Sequence, residues 1–343
     1  MAKYLRKRIL ISVIILFLIL LILFLLLQFM PGSPFNDEKL SPEQVAALKE
    51  SYGLDKPVPV QFIRYVENML RGDLGVSYSI SPNTPITVLL ANRFPVTLRI
   101  GFLSLLFGTL AGVLLGLSAA FFKSRIIKGF YSVLTMLGVA VPSYLFAMYL
   151  SWTLGYKAKV LPMLYDFRSP AISSVMPVAA LSFVVMAVIA RFTKAEAEEV
   201  KNSDYVMLAR CSGLNNRTII LQYILRNSLI PVITVMGSLL VGLLTGSLVI
   251  EKMFSIPGVG SLLTNAISSN DYSVVISLSF VYSALYIIVM LILDIIYCVV
   301  DPRIRLTGAD LKERQITKPG ILHEKAAQNS SSAKAVTVCA FQQ

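Results

Sequence analysis

Six stretches of this chain each hold about 20 or more consecutive, predominantly apolar residues, and this constrains its fold more than any other feature. They run from Ile9 to Met30, Ile100 to Phe122, Phe130 to Leu154, Ile172 to Ala190, Leu229 to Ile250 and Tyr272 to Val300. A helix of that length crosses a hydrocarbon layer about 30 Å thick and pairs its backbone amides internally, as lipid requires. Hydrophobic residues make up 56% of the 343 and charged residues only 15%, which excludes a soluble globular enzyme and a disordered scaffold. Pro142 and Pro177 fall inside the third and fourth stretches, where a kink within a continuing span is expected. The fold class is therefore an all-α polytopic membrane protein with six transmembrane helices.

The charges orient those helices. Lys and Arg number 31 against 19 Asp and Glu, a net charge of +12. With both termini cytoplasmic, 20 of the basic residues lie in cytoplasmic segments and 11 outside, seven of the latter between Pro31 and Arg99. Segments that long translocate largely regardless of charge, so the positive-inside rule favours this orientation. Topology accounts for the positive balance, and no nucleic-acid partner is needed. The first stretch follows Lys3, Arg6, Lys7 and Arg8 like the front of a signal peptide. It ends Gln28-Phe29-Met30-Pro31 with no small-residue cleavage site, so an uncleaved anchor is expected. Cys211, Cys298 and Cys339 lack metal-type spacing and the only histidine is His323, which leaves no disulfide framework, no His-based metal site and no catalytic triad.

Two polar segments stand out. Residues 31–95 form an extracytoplasmic cap: Ser41 as N-cap, Pro42 at the first helical position and Gln44 closing a capping box open a helix through Tyr52, which Gly53 ends. Lys56 to Arg71 reads as a second, amphipathic helix, and Gly72-Asp73-Leu74-Gly75 as a turn. The cap either covers helix ends or docks a partner. On the other side, Ala195 to Leu208 favours a helix, Cys211 to Asn216 breaks it, and Arg217 to Leu225 is helical again before Pro231 opens the fifth span. Two short helices joined at a glycine make a projecting knob. Ala209 and Gly213, four apart, share a face shallow enough for close approach by another protein, although Gly213 taken alone reads as a simple helix C-cap.

The run from Asp204 through Tyr205, Ala209, Arg210 and Gly213 to Leu214, followed by Leu225-Arg226-Asn227-Ser228-Leu229-Ile230-Pro231, resembles the coupling loop of bacterial ABC importer permeases. The similarity is greatest to the oligopeptide/dipeptide subfamily, which includes nickel and glutathione permeases. Gly72-Asp73-Leu74-Gly75 with Ser77, Arg93-Phe94-Pro95-Val96-Thr97-Leu98, Glu251-Lys252-Met253-Phe254-Ser255-Ile256-Pro257-Gly258-Val259-Gly260, and Asp294-Ile295-Ile296-Tyr297 ahead of Asp301-Pro302-Arg303-Ile304-Arg305 resemble it in order. Two departures are visible. The generic Glu-Ala-Ala triplet of such loops falls on Met207-Leu208-Ala209, where only Ala209 matches, and Leu161-Pro162-Met163 replaces the small residues more usual in the third outer loop.

The resemblance implies an ABC importer type I permease fold in the bacterial cytoplasmic membrane. Residues 1–30 are the anchor helix and 31–95 the cap; 96–306 form a permease core of five helices with a cytoplasmic coupling loop at 191–228, and 307–343 a polar cytoplasmic tail. It implies transport of short peptides, with nickel or another small solute as the alternative cargo. No Gly-x-x-x-x-Gly-Lys-Ser/Thr phosphate loop occurs in the chain, so it is not expected to be an enzyme. ATP and Mg would be bound by two cytoplasmic ATPase subunits, and a second similar permease and an extracytoplasmic binding protein would complete the assembly. Asp204, Tyr205, Ala209, Gly213 and Leu214 would form the ATPase contact, with Arg210 or Arg217 either salt-bridging to it or merely solvated. Glu251, Pro257, Gly258 and Gly260 would form a tight re-entrant turn that gates substrate, meets the binding protein, or is a plain loop. Asp294 is the acidic residue deepest in an apolar run, favoured as a structural partner over a proton relay. The competing class, an ion-coupled secondary transporter, would show several intramembrane charges and an inverted repeat.

Overall fold

The computed structural model describes residues 2–29, 42–51, 53 and 55–300. Their regular elements are all helices, with one isolated antiparallel bridge between Val76 and Pro85. Two compact units divide the chain: Leu5–Leu291, and Met1–Tyr4 with Ile292–Gln343. Within the second, residues 2–4 and 292–300 are described, and they are helical. The expected N-cap Ser41, the motif Asp301 to Arg305 and the tail 307–343 lie outside the described residues.

Helix α1 (Ala2–Gln28) is apolar almost all round, with Ile9, Leu10, Val13 and Phe17 exposed as a lipid-facing helix requires. The cap follows as α2 (Pro42–Ser51) and α3 (Val58–Leu70), which Gly72 and Gly75 end in a turn at φ 82° and 79°. Amphipathic α3 lays Phe62 against α1, 5.3 Å from the Phe24 ring and 5.6 Å from Phe17.

The core is built on α4 (Ile86–Phe121) and α8 (Val175–Lys201), the most extensively packed pair among the described residues. Glycine recurs every fourth residue on α4, and a Cβ added there would meet α8 at once. At Gly108 it would lie 2.6 Å from Val185 Cβ, at Gly112 2.8 Å from Ile189 Cβ, and at Gly116 2.6 Å from the Ala190 carbonyl. Close backbone approach of this kind supplies the van der Waals contact that holds helices together in lipid, where no hydrophobic drive separates helix from solvent. Pro95 lies inside α4, which starts well before the expected span at Ile100.

The third apolar stretch departs from expectation. It is two helices, α5 (Arg125–Ala140) and α6 (Ser143–Leu150), the latter continuing as a π-helical turn to Lys157, and they meet at 108°. Pro142 is the cause. Its ring forces Val141 into an extended conformation (φ −87°, ψ 120°) and it has no N–H to carry the ladder on, so a break replaces the kink. Among the described residues five helices are thus long and apolar enough to cross a membrane, and six spans are counted if the bent pair is one. Pro177 produces no kink, because it sits in the first turn of α8, where its missing N–H has no partner to lose.

The short α7 (Pro170–Ser173) leads into α8. After α8 come α9 (Asp204–Cys211) and α10 (Asn216–Thr218), and a π-helical segment from Ile219 runs without a break into α11 (Arg226–Gly246). Pro231 is therefore inside α11, which begins before it, and it precedes the apolar span at Val235–Met253. Helices α12 (Leu248–Met253), α13 (Val259–Ser268) and α14 (Tyr272–Val300) complete the order.

Candidate functional site

The knob is held from below and bare on top. Asn202 and Ser203 interrupt the helix that the sequence suggests is continuous, and α9 turns back so that Val206 and Ala209 bury against Ala120, Ala197, Ile219 and Ile224. Lys201 caps the junction by donating to the Ala120 carbonyl at 3.4 Å. Ala209, expected on the contact face, is 5% exposed and belongs to the knob's own core: its small side chain serves close packing against the helix ends. Gly213 takes φ 75°, and its N–H donates to the Arg210 carbonyl at 3.0 Å while Leu214 N–H reaches back to Ala209 at 3.3 Å. This is a left-handed C-terminal cap. Nothing lies within 4 Å of a Cβ built at Gly213, so the glycine is needed for backbone conformation and not for space inside this chain.

The exposed rim carries Asp204, Arg210, Cys211 and Arg217, with neither arginine in an ion pair among the described residues. Four large apolar side chains stand out from it: Met207 at 66% exposure, Leu208 at 69%, Tyr205 at 42% and Leu214 at 39%. Asn227 anchors the Tyr205 hydroxyl at 3.3 Å. Met207 and Leu208 were legible only as departures from the Glu-Ala-Ala pattern; folding shows them to be the most solvent-exposed apolar groups of the knob.

A second cluster joins two of the sequence motifs. Glu251 in α12 is fully buried, and its carboxylate accepts bonds from Thr97 Oγ1 (2.7 Å), Ser247 Oγ (3.2 Å) and Ser261 N–H (3.1 Å). Thr97, from the Arg93 to Leu98 motif on α4, also accepts from Val259 N–H at 2.9 Å and so bridges both. Gly258 and Gly260 are buried with it, since a Cβ on either would strike the Glu251 carboxylate. The expected turn exists but is shorter than anticipated, from Phe254 to Gly258, with Ser255 at φ 52° and helix on both sides. Glu251, Gly258 and Gly260 thus hold the turn together from inside, and Pro257 is half-buried; the surface offered outward is that of Lys252 and Ser255. Asp294 lies within α14, and its side chain is outside what the structure describes.

One anchor escaped the sequence reading. Asp271, fully buried just before α14, accepts from Ser77 Oγ at 2.5 Å, from the N–H groups of Tyr78, Ser79 and Ile80 at 3.0–3.1 Å, and from Val274 N–H at 3.5 Å. The available signal was an Asp in N-cap position before an apolar run. Beside it Ser277 donates to the Leu74 carbonyl and shares a hydrogen bond with Tyr65 of α3, both at 2.7 Å. Burial pushes the Tyr65 phenol well above its ordinary range. The cap is therefore strapped to the start of α14.

A bundle of apolar helices, tightly packed through glycine, with a polar knob interrupting the chain between two of them, defines the membrane subunit of a transporter. Comparison with known proteins agrees. Residues 112–306 match the family described as "Binding-protein-dependent transport system inner membrane component", and residues 1–101 match "Binding-prot-dependent transport system membrane comp, N-term". The dipeptide transport system permease protein DppB of Lactococcus lactis is 39% identical over 306 residues, 89% of this chain and 100% of that protein. The oligopeptide transport system permease protein OppB of Haemophilus influenzae is 35% identical over 314 residues, 89% and 100% of the two chains. A solved structure of the methionine ABC transporter MetNI in inward-facing conformations superposes with a TM-score of 0.52 at 16% identity, covering 63% of this chain and 97% of that one. The chain belongs to the inner-membrane components of binding-protein-dependent transport systems. It is a multi-pass permease of the bacterial cytoplasmic membrane.

Proposed function

We propose that this chain is one of two permease subunits through which short peptides enter the bacterial cytoplasm. A binding protein delivers them on the outer side, and ATP is hydrolysed by two cytoplasmic subunits that hold the nucleotide and Mg. Both termini and the 191–228 loop face the cytoplasm in this reading. The observation that carries it is the knob: Tyr205, Met207, Leu208 and Leu214 exposed on a base that is itself well packed. An apolar patch rimmed by charge on a rigid support is what a protein partner's cleft accepts. Peptide as cargo is supported by the names of the relatives, dipeptide and oligopeptide permeases that align over their full length.

The mechanism follows from linkage. Nucleotide can shift the permease between outward-open and inward-open states only by as much as it favours one of them, and that preference must pass through the knob. Helix α9 transmits force because its buried face is tied to the ends of both α4 and α8. The rigid glycine contact of α4 with α8 then carries the displacement along both helices as one body.

The test is co-purification. Leu208→Asp places a charge in the patch without touching the knob's core. The expected result is loss of the associated ATPase subunits and of peptide uptake, with normal membrane insertion and unchanged thermal stability of the permease. Full ATPase recovery with the variant would overturn the assignment of the contact.

A further inference from the structure

Helices α5 and α8 touch where Tyr131 buries with Ala190 and where Gly138 lies against Ala187. Along this contact run two open cavities of about 530 and 460 Å³ that share Tyr131, Val139 and Arg191 and so form one cleft. Its two ends differ in chemistry. One carries Arg191 and Lys194, with Glu198 paired to Lys194 at 3.8 Å; the other is walled by Met136, Val139 and Val188. Lys194 rests its ammonium 4.9 Å from the Tyr131 ring, which holds it at the cleft. Arg191 is exposed and has no acidic partner among the described residues. Lys128, exposed one turn before Tyr131 and Ser132, adds a further positive charge on the same face of α5.

A cationic mouth opening onto an apolar slot, on the side of the membrane with the excess of basic residues, has the shape and polarity of a phospholipid. Free anions would use the mouth and leave the slot empty, whereas a lipid uses both. We propose that this cleft binds an anionic phospholipid of the cytoplasmic leaflet, its phosphate held by Arg191 and Lys194 and its acyl chains lying along Met136, Val139 and Val188. Basic pockets between transmembrane helices on the cytoplasmic side recognise such headgroups through the same combination of charge and apolar surface. Because α5 and α8 both pack on α4, a lipid wedged there would bias the spacing of helices that must move during transport. The proposal rests on the cytoplasmic placement of this end of α8, but not on the identity of the cargo.

The experiment is lipid binding to the full chain, purified with its co-purifying subunits and followed by native mass spectrometry as phosphatidylglycerol or phosphatidylcholine is added. Phosphatidylglycerol is expected to be retained and phosphatidylcholine not. The double variant Arg191→Gln, Lys194→Gln should weaken retention roughly 30-fold, about five-fold for each charge removed. Glu198→Gln should tighten it, since it removes the acidic group beside the phosphate and frees Lys194, and an unfolding defect cannot mimic that gain. Equal retention of both lipids, undiminished retention in the double variant, or displacement by millimolar inorganic phosphate or a soluble dipeptide would each overturn the proposal. The readout involves no transport, so failure of the peptide reading and failure of this one are separable.

Discussion

Two buried carboxylates show how a single side chain can tie distant parts of this chain together. Asp271 satisfies three consecutive backbone N–H groups of the loop at 78–80 together with Ser77, which lies 194 residues away from it. Replacing it with alanine would leave the buried Ser77 hydroxyl and these half-buried N–H donors without an acceptor, at a cost on the order of 3 kcal/mol. Asp271→Ala is expected to free the cap: the 74–81 loop should become protease-sensitive, and the thermal transition of the purified chain should fall. Asp271→Asn keeps one acceptor oxygen and should do about half the damage. Glu251 is the counterpart between α4, α12 and α13, and Glu251→Gln would turn a donor toward donors already in place. Its expected cost is about 1–3 kcal/mol, seen as a lowered transition temperature, with the turn rather than the cap loosened. The sequence displayed Asp271 as an ordinary residue ahead of a span, because its partners come from a loop that only folding brings near.

At the level of elements, glycine spacing matters more than the apolar content that identifies a span. Gly112→Leu would drive a side chain into Ile189 and the Met186 carbonyl, both at 2.8 Å from the added Cβ, and backbone cannot step aside. The expected result is separation of α4 from α8 and a loss of about 1–3 kcal/mol or more, measured as a fall in detergent melting temperature. Gly129→Ala in α5 is the control: nothing lies within 4 Å of its Cβ, so a gain of about 0.5–1 kcal/mol from helix propensity is expected. Spacing of four along α4 could be read in the sequence, but which helix it approaches could not. Proline behaves in the same context-dependent way. Pro95, Pro142 and Pro231 are equal as letters, yet only Pro142 breaks the chain into two helices, at 108°; the other two sit inside helices that continue.

For the whole molecule, orientation is the property with the widest consequences, and the knob carries its own probe. Cys211 is exposed, and substituting serine for Cys298 and Cys339 would leave it the sole thiol. A membrane-impermeant thiol reagent should then label inverted vesicles and leave intact cells unlabelled. Labelling of intact cells would reverse the topology and, with it, the placement of the knob and of the lipid cleft.

What the sequence determined by itself was the solvent, the class and the family: long apolar runs can satisfy their backbone in lipid only as helices, and charge asymmetry indicates how they are threaded. The knob was legible too, as a short helix near Asp204 closed by a glycine at Gly213. Tertiary structure alone decided which faces are turned outward. It placed Ala209 in the knob's core and Met207 and Leu208 on its surface, and it made Glu251 an internal tie beneath a turn instead of a contact upon it. Local pattern specifies helices because their hydrogen bonds join residues four apart. Burial is set by contacts between residues that lie far apart in the chain, and no short motif contains them.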